Sequence, residues 1–408
     1  MKRIYKLNKY SNYAVLLLIL GIFVSAFYCL NYIYALESKN KKTILLDQSL
    51  FNTSSLLDEK TNAFKLGNVS KLDLNYEIYN TQILDDDSFA FETTDADNND
   101  EICTLNLSND ISNSDASSID LKDKNQSDLE ADNFKILYKA NGISIGNYNV
   151  SEDGKKIIFF GINSSLKDNG IVYLYDIDGK KLAQMSEKSY SNLIIENSKY
   201  IGVNDEYLFI KNLDTGKIDD LKSMKDIISG NSNIFSKNMG KYNLLLSANE
   251  KYAYLIALIP QNGNEILSHI YQIDLENEEV SEETIQGSVN KMVPLLDGNF
   301  IFSGQIEGEN GIFIYNMQTK NYKNLVQGNI SDVEITKDNN KISYIDTNND
   351  GSSKIHVGSF DKDKIEEDTV IYNDPKYGLH AIWSNDGNKL YYFSFYDEGT
   401  RVYKFSFM

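Results

Sequence analysis

The sequence predicts an all-β fold, a closed ring of six four-stranded repeats with the architecture of a six-bladed β-propeller. Two observations predict it: a turn pattern that recurs six times between extended segments, and a composition rich in the strand-forming residues Ile, Tyr, Phe and Val. Repeats of this kind stack because a single repeat cannot bury its apolar face alone. We assign residues 133–408 to this ring.

The recurring turn places Asp, Asn or Ser between two extended runs. The clearest copies begin at Ser151 and Ser384, and each carries Asp-Gly two residues later. An Asp-Gly pair supplies the positive φ that a tight turn between antiparallel strands requires. The spacings between successive copies are 45, 51, 48, 41 and 48 residues, measured between the third turn positions Asp153, Ser198, Asn249, Asp297, Asp338 and Asp386. This is the length of a four-stranded repeat.

Closure of the ring requires one strand from outside the repeats. The last copy reaches Met408 after only three strands, so a fourth strand has to come from another part of the chain. The segment Phe134-Lys-Ile-Leu-Tyr138 precedes the first copy and belongs to no repeat. We therefore expect this segment to pair with the last repeat and to close the propeller.

The turn sequences resemble the PD40 (WD40-like) repeat of TolB-like propellers, whose pattern is aromatic-Ser-Pro-Asp-Gly-Lys-Lys-apolar. Trp383 to Leu390 matches this pattern best and Val150 to Ile157 second, although the proline is absent from every copy. The resemblance covers about 134–408. It implies the six-bladed fold and binding to protein partners, but the α/β domain that precedes the TolB propeller has no counterpart in this sequence.

The N-terminal segment predicts a membrane anchor. Residues 10–36 contain no charged side chain, and an apolar run of this length spans a bilayer as a helix. Four basic residues lie between Lys2 and Lys9, which places residues 1–9 in the cytoplasm and the ring outside the cell membrane. A cleaved signal peptide and a lipoprotein signal at Cys29 are the alternatives, and each of them also exports the ring.

The segment between the anchor and the ring, 37–132, is predicted to be an acidic, largely disordered linker. Residues 85–132 carry fifteen acidic residues against Lys122 and Lys124, with few aromatic residues to bury. The whole chain has a net charge of −19, and no cluster of basic residues follows Lys42. This distribution excludes nucleic acid as a partner, because phosphate binding needs clustered Lys and Arg.

One acidic turn is a weak candidate for a calcium site. Asp346, Asn348 and Asp350 alternate along the chain, and Gly351 permits a sharp bend after them. The twelfth position of such a loop is Val357 rather than the bidentate Glu of a calcium loop. The alternative is a polar hairpin between two strands. No other cofactor is expected.

Two residues of the last repeat are candidates for contact with the channel or with a partner. His380 and Trp383 lie on the innermost strand of this repeat, although both also fit structural positions in its core. The other histidines, His269 and His356, have no Cys or second His at ligand spacing, so zinc is excluded as a cofactor.

The pattern Gly142-Ile-Ser-Ile-Gly146 matches the G-x-S-x-G motif of serine hydrolases. That chemistry needs a strand-to-helix turn with an acid and a His following, whereas strand pattern follows here. The match is interpreted as coincidental, and no catalytic residue is assigned.

These features predict a membrane-anchored, extracytoplasmic binding or scaffold module that is not an enzyme. Its partner would be a protein or another ligand of the cell envelope. The alternative is a hydrolase or lyase that acts on envelope glycans or peptides in the central channel. Convergence of Asp or Glu side chains with His380 would favour the enzyme, and aromatic or amide side chains would favour binding.

Overall fold

A computed structural model describes residues 64, 66–74, 76–108, 133–140, 142–162, 171–189, 191–204, 206–223, 242–260, 266–277, 279–374, 378–396 and 399–407. They all belong to one compact part of the chain, Leu45–Met408. Within these residues the secondary structure consists of strands and turns, without a helix. The predicted cytoplasmic tail and the predicted membrane helix at 10–36 lie outside the described residues. The described part contains no helix that is long and apolar enough to cross a bilayer.

The described strands form seven antiparallel units of four strands, numbered here in chain order. Unit 1 contains β2 (Tyr79–Ile83), β3 (Ser88–Thr94), β4 (Asp100–Asn106) and β5 (Phe134–Lys139). Unit 2 contains β6 (Ser144–Val150), β7 (Lys156–Ile162), β8 (Ile171–Asp176) and β9 (Lys181–Lys188). Unit 3 contains β10 (Ser191–Ile195), β11 (Lys199–Val203), β12 (Tyr207–Asn212) and β13 (Ile218–Ser223).

Units 4 and 5 share one long strand and therefore form a single seven-stranded sheet. Unit 4 contains β14 (Tyr242–Leu246), β15 (Tyr252–Pro260), β16 (Ile266–Asp274) and the first half of β17 (Glu279–Pro294). Unit 5 contains the second half of β17 with β18 (Phe300–Ile306), β19 (Glu309–Asn316) and β20 (Asn321–Gln327). The change of partner occurs between Gln286, which pairs with β16, and Gly287, which pairs with β18.

Units 6 and 7 complete the arrangement, together with the first described strand of the chain. Unit 6 contains β21 (Ile330–Ile335), β22 (Lys341–Thr347), β23 (Ser353–Asp361) and β24 (Lys364–Asp374). Unit 7 contains β25 (Gly378–Trp383), β26 (Lys389–Tyr396) and β27 (Gly399–Phe407), and its fourth strand is β1 (Leu66–Leu74).

Apolar clusters fill every junction between successive units and also the junction between unit 7 and unit 1. At the closing junction Phe89 of β3 packs edge-on against Phe393 of β26, with ring centroids 5.2 Å apart. The innermost strands of neighbouring units also contact one another in the same cyclic order. The units therefore form a closed ring around a central channel.

The closing strand is not the one that the sequence analysis predicted. Phe134–Lys139 is β5 and pairs with β4, whereas Leu66–Leu74 pairs with β27 in an antiparallel register from Leu66↔Phe407 to Leu74↔Thr400. Leu72 and Leu74 are buried in this position, and Leu74 is fully inaccessible. The leftover strand assigned to closure is thus the outer edge of an additional unit.

Unit 1 also corrects the predicted linker and the count of six repeats. Strands β1 to β4 lie between residues 66 and 106, inside the range predicted to be linker. Some acidic residues of this range occupy turns, such as Asp85 to Asp87, whereas Glu92 and Glu101 lie on strands and are buried, as are Phe89 and Phe91. This acidic segment of the chain therefore contains solvent-exposed turns between strands that contribute to the core. The remaining part of the predicted linker, 37–63 and 109–132, lies outside the described residues.

The six predicted turns are confirmed, and each joins the first and second strands of units 2 to 7. The hydroxyl of Ser384 donates to Asp386 at 2.6 Å and accepts from the N–H of Lys389 at 3.0 Å. The same pair of hydrogen bonds occurs in the turns that begin at Ser151, Ser247 and Thr336. The Ser and Asp of the repeat pattern therefore close the turn, because local side-chain acceptors satisfy its backbone donors.

Candidate functional site

The two faces of the ring differ in the chain segments that they present. The repeat turns lie where the innermost strands end, and we call this the lower face. Because neighbouring strands are antiparallel, the innermost strands begin, and the second strands end, at the opposite upper face. Residues at the start of β2 or the end of β26 therefore belong to the upper face.

Polar contacts join innermost strands across the junctions of the ring. Gln82 of β2 accepts from the N–H of Val150 at 2.9 Å and donates to its carbonyl at 2.8 Å. Asn149 of β6 accepts from the N–H of Ile194 at 2.8 Å. These amides satisfy backbone groups that have no partner strand on the channel side, and they hold neighbouring units together.

A charged cluster lines the channel in units 5, 6 and 7. Lys291 of β17 lies 2.6 Å from the Oε1 atom of Glu334 and 3.6 Å from the Oδ1 atom of Asp332, both on β21. The other oxygen of Asp332 accepts from the N–H of Ala381 on β25 at 2.8 Å. We call Lys291, Asp332, Glu334 and the neighbouring His380 the channel cluster.

His380 connects this cluster to unit 1. A hydrogen bond of 2.5 Å joins its Nε2 atom to the hydroxyl of Thr81, and its ring stacks on Phe393 with centroids 4.4 Å apart. The pKa of His380 is lowered to about 4, mainly by burial and partly by Lys291, while Asp332 opposes the shift. The imidazole is therefore neutral at neutral pH.

With both carboxylates ionised, the cluster carries one net negative charge. Burial alone would lower the pKa of Lys291, but the carboxylates of Glu334 and Asp332 outweigh it and raise this pKa. Burial raises the pKa of Glu334, and the positive charge of Lys291 offsets part of this increase. The Lys291 side chain is 36% exposed and that of Glu334 21%, so both charges keep some contact with the channel. Two carboxylates thus share one cation.

Two serine hydroxyls beside the cluster have no hydrogen-bond partner within the described residues. Ser303 is opposite Lys291 in the β17–β18 register, and Ser343 is opposite Glu334 in the β21–β22 register. Directly opposed residues of an antiparallel pair place their side chains on the same side of the sheet. Both serines are at most 1% exposed, so their hydroxyls are buried and unsatisfied.

The upper face carries exposed aromatic side chains. Tyr79 at the start of β2 is 44% exposed, Phe395 near the end of β26 is 44% exposed, and Tyr207 at the start of β12 is 39% exposed. On the lower face Tyr322 is the corresponding exposed aromatic of the described residues. Aromatic side chains are the commonest anchors of protein interfaces, because they bury a large area at little entropic cost.

The two predicted contact residues have different positions. His380 lies on an innermost strand and belongs to the channel cluster. Trp383 is 5% exposed and packs between units 6 and 7, where its ring lies 5.6 Å from that of Phe407. The expectation that Trp383 faces the channel or a partner is therefore wrong, since its position on β25 directs it into the junction.

The calcium candidate at Asp346, Asn348 and Asp350 forms a hairpin between β22 and β23. The Nδ2 atom of Asn348 donates to the hydroxyl of Ser352 at 2.8 Å, and Asp350 accepts from the same residue at 2.7 and 2.9 Å. The polar side chains of Asn348 and Asp350 therefore form hydrogen bonds within the turn itself. Within the described ranges, no three His, Cys, Asp or Glu side chains are arranged to hold a metal ion.

The remaining sequence candidates occupy strands. Ser144 of the G-x-S-x-G pattern begins β6 and pairs with Ile162 on a neighbouring strand, so it lies on no strand-to-helix turn. His269 hydrogen-bonds to Glu282 at 3.1 Å, and His356 to Asp368 at 3.0 Å. Each of these pairs joins the third and fourth strands of its unit.

Lys291, Asp332 and Glu334 were not identified from the sequence. Each lies on an innermost strand four or six positions before the third residue of its turn, and His380 lies six positions before Asp386. Aligning the repeats on their turns would have placed these residues at one level of the channel. Their pairing required the ring geometry, because they come from three different units.

No family model and no curated protein matches the sequence. Among solved structures, the β-propeller domain of the Trilobed protease from Pyrococcus furiosus is 13% identical, and the match covers 81% of this chain and 93% of that chain with a TM-score of 0.51. A chain of the mitotic checkpoint complex is 11% identical over 86% of this chain and 94% of that chain, also with a TM-score of 0.51.

The putative TolB from Agrobacterium tumefaciens is 11% identical over 69% of this chain and 96% of that chain, with a TM-score of 0.39. At these identities the similarity concerns the fold alone. The likeness to a propeller domain confirms the fold that the turn sequences indicated: the chain is a β-propeller.

Proposed function

We propose that this chain is a binding module of the cell envelope, in which the seven units are the blades of a closed propeller and the upper face receives a protein or another ligand. Residues 10–36 anchor the module in the membrane, and the propeller lies outside the cytoplasm. The apolar, uncharged composition of 10–36 and the preceding basic residues support this topology. The topology is tested by adding protease to intact cells: a propeller outside the membrane is digested, and a cytoplasmic one is protected.

The observation that carries the binding function is the set of exposed aromatic side chains on the upper face. Tyr79, Tyr207 and Phe395 come from three different units, so the exposed aromatic side chains are spread over this face rather than confined to one unit. Such side chains provide anchors for a partner, and the polar channel provides hydrogen-bonding groups. A similar fold within the mitotic checkpoint complex, an assembly of proteins, agrees with this role.

The charge of the chain narrows the class of partner. A net charge of −19 disfavours nucleic acid and anionic membrane surfaces, which repel an acidic protein. The partner is therefore a protein or a neutral or cationic ligand.

Photo-crosslinking of the full chain in its native envelope tests this function. A photoreactive phenylalanine analogue replaces Tyr79 on the upper face, and the same analogue replaces Tyr322 on the lower face as a matched control. The two tyrosines are similarly exposed, at 44% and 42%. We expect a discrete crosslinked product from position 79 only. Crosslinks from neither position, or from position 322 alone, contradict a binding role for the upper face.

A second candidate function is a hydrolase or lyase acting in the channel. The observation that favours it is that Asp332 lies close enough to His380 to raise its pKa, since the sequence analysis associated convergence of Asp or Glu with His380 with catalysis. Against it, the carboxylates hold Lys291 and a backbone N–H, and His380 is neutral at neutral pH. The test is incubation of the chain with envelope glycans and peptides. Product formation that Glu334→Gln abolishes would establish the enzyme.

A further inference from the structure

The channel cluster has unused hydrogen-bond acceptors. Glu334 contacts Lys291 through Oε1, and within the described residues its Oε2 atom accepts no hydrogen bond. The hydroxyl of Ser343, 1% exposed and on the same side of the sheet as Glu334, is also without a partner there. A buried hydroxyl without a partner is costly, so a group that donates hydrogen bonds to it and to the carboxylate of Glu334 stabilises the site.

The charge of the cluster selects the kind of donor. Asp332 and Glu334 together outweigh Lys291 by one negative charge, and neutral His380 adds none. An anionic ligand would meet two carboxylates at short range and is excluded. A ligand with one positive charge neutralises the cluster, and the partly desolvated setting strengthens that attraction.

The geometry also limits the shape of the cation. Separate N–H groups are needed to reach Glu334 and Ser343, which come from adjacent strands of unit 6. A primary ammonium group has three N–H donors around a compact charge, whereas a quaternary ammonium group has none. The acceptor set therefore fits a primary ammonium group.

We infer that the channel cluster binds a primary ammonium group, with the free oxygen of Glu334 and the hydroxyl of Ser343 as its acceptors and Asp332 as a second negative charge. This inference rests on the proposed binding function, since it names the chemistry of what enters the channel. The group belongs either to a small amine or to a lysine side chain of a protein partner. Both present the same charge and the same donors.

Isothermal titration of the full chain with n-butylammonium tests the inference, with n-pentanol and tetramethylammonium as matched probes. Pentanol has a similar size without the charge, and tetramethylammonium has the charge without N–H donors. We expect saturable binding of butylammonium, and affinities for the two other probes that are about tenfold lower or less, corresponding to one charge-assisted hydrogen bond.

Variants identify the acceptors. We expect Glu334→Gln to weaken butylammonium binding about tenfold or more, and Ser343→Ala to weaken it about threefold to tenfold. Glu283→Gln is the control, because Glu283 is also a buried carboxylate paired with a lysine but lies outside the cluster. Unchanged binding in Glu334→Gln, or pentanol binding as tightly as butylammonium, overturns the inference.

The pH dependence gives a separate readout. Bound ammonium requires ionised Glu334, whose pKa burial raises, so binding weakens as pH falls through this raised pKa. Lys291 stays charged, and His380, with a pKa of about 4, gains its proton only under more acidic conditions. A wild-type affinity for butylammonium that is the same at pH 4 and pH 8 contradicts the inference.

The source of the group and the proposed function are tested separately. If acetylation of the partner's lysines abolishes the crosslink at position 79, the ammonium group comes from a protein; if the crosslink persists, it comes from a small amine. A wild-type chain that forms the crosslink but binds no butylammonium refutes the inference and leaves the binding function standing. A wild-type chain that binds butylammonium but forms no crosslink from position 79 refutes the role of the upper face.

Discussion

Arg401 and Asp73 form a two-point ion pair between β27 and β1 within unit 7, with distances of 2.5 Å from Nε to Oδ1 and 3.0 Å from the second guanidinium nitrogen to Oδ2. The two residues are also direct partners in the β1–β27 register. Burial opposes the positive charge, but Asp73 outweighs it and raises the pKa of Arg401. A bidentate contact fixes orientation as well as distance, so this pair specifies how the first described strand joins the last.

Removing β1 is expected to open the ring. Deletion of residues 1–75 exposes the edge of β27 and removes Leu72 and Leu74, each contributing about 2 kcal/mol through burial. We predict a loss of roughly 4 kcal/mol or more in the free energy of unfolding, measured by urea titration. Deletion of 1–63 is the control, since it keeps β1 and Phe64. Equal stability of the two truncated chains would show that β1 is dispensable.

The sequence predicted the repeats where a turn requires particular residues. Asp386-Gly387 and Asp153-Gly154 identified their turns because a positive φ and a buried acceptor constrain the residue types. The turn of unit 1, Asp85 to Ser88, contains no glycine and lies in a strongly acidic stretch. Its backbone hydrogen bond from Leu84 N to Ser88 O matches that from Leu295 N to Asn299 O, yet the sequence analysis did not identify it, and the alternation of Phe89 and Phe91 was its one apolar signal.

The closing strand could not be predicted from its own residues. Leu66–Leu74 has alternating apolar residues but no turn of its own, and its partner β27 lies at the other end of the chain. Pairing of such distant segments is decided by which edge is left uncovered, and the sequence analysis assigned that edge to Phe134–Tyr138 instead. The channel cluster could not be predicted from the sequence for the same reason. Lys291 and Glu334 come into contact only when units 5 and 6 stand side by side.

The repeat turns differ in how far they tolerate a side chain at their glycine. Gly154 has a φ of 67°, and a Cβ atom there meets nothing within 4 Å; Gly387 has a φ of 65°, and a Cβ atom there would lie 2.9 Å from the Cγ2 atom of Thr336. We predict that Gly154→Ala costs about 1 kcal/mol, because only the left-handed backbone is strained. Gly387→Ala should cost about 2 kcal/mol, since unit 6 must also move. Chemical denaturation measures both, and equal costs would refute the contact between units.

Glu92 should make the stability of the ring depend on pH. It is 8% exposed, and burial raises its pKa to about 7, against the opposing hydrogen bond from Asn80. The unfolded chain has the ordinary value near 4.5, so the folded state binds more protons between these values. The stability that Glu92 contributes is fully present below about pH 4.5 and is lost as pH rises through about 7. This contribution is on the order of 2–3 kcal/mol.

Thermal unfolding between pH 4.5 and 8 measures this contribution. The wild-type melting temperature should fall across the interval more steeply than that of Glu92→Gln, in which the titrating group is absent. Parallel pH profiles for the two chains would show that Glu92 is not desolvated in the folded state.

Lys291 should stabilise the channel through the two carboxylates that it contacts. We predict that Lys291→Met lowers the free energy of unfolding by about 1–2 kcal/mol, a value reduced by the water that reaches its 36% exposed side chain. Lys323→Met is the matched control, because the Lys323–Asp363 pair is about half exposed and should contribute under about 0.5 kcal/mol. Adding Glu334→Gln to Lys291→Met should recover part of the loss. A double variant that loses the sum of both single losses would contradict the pairing.

Closure by β1 is the central claim, since β1 supplies the fourth strand of unit 7, which stands between unit 6 and unit 1 in the ring. Asn68 and Ser406 are partners in the β1–β27 register, so the pair Asn68→Cys and Ser406→Cys can form a disulfide after oxidation. The comparison pair is Lys135→Cys and Ser406→Cys, which would react if Phe134–Lys139 were the closing strand. Peptide mapping by mass spectrometry should find the disulfide in the first pair and not in the second. A disulfide between positions 135 and 406, with none between 68 and 406, would contradict the ring described above.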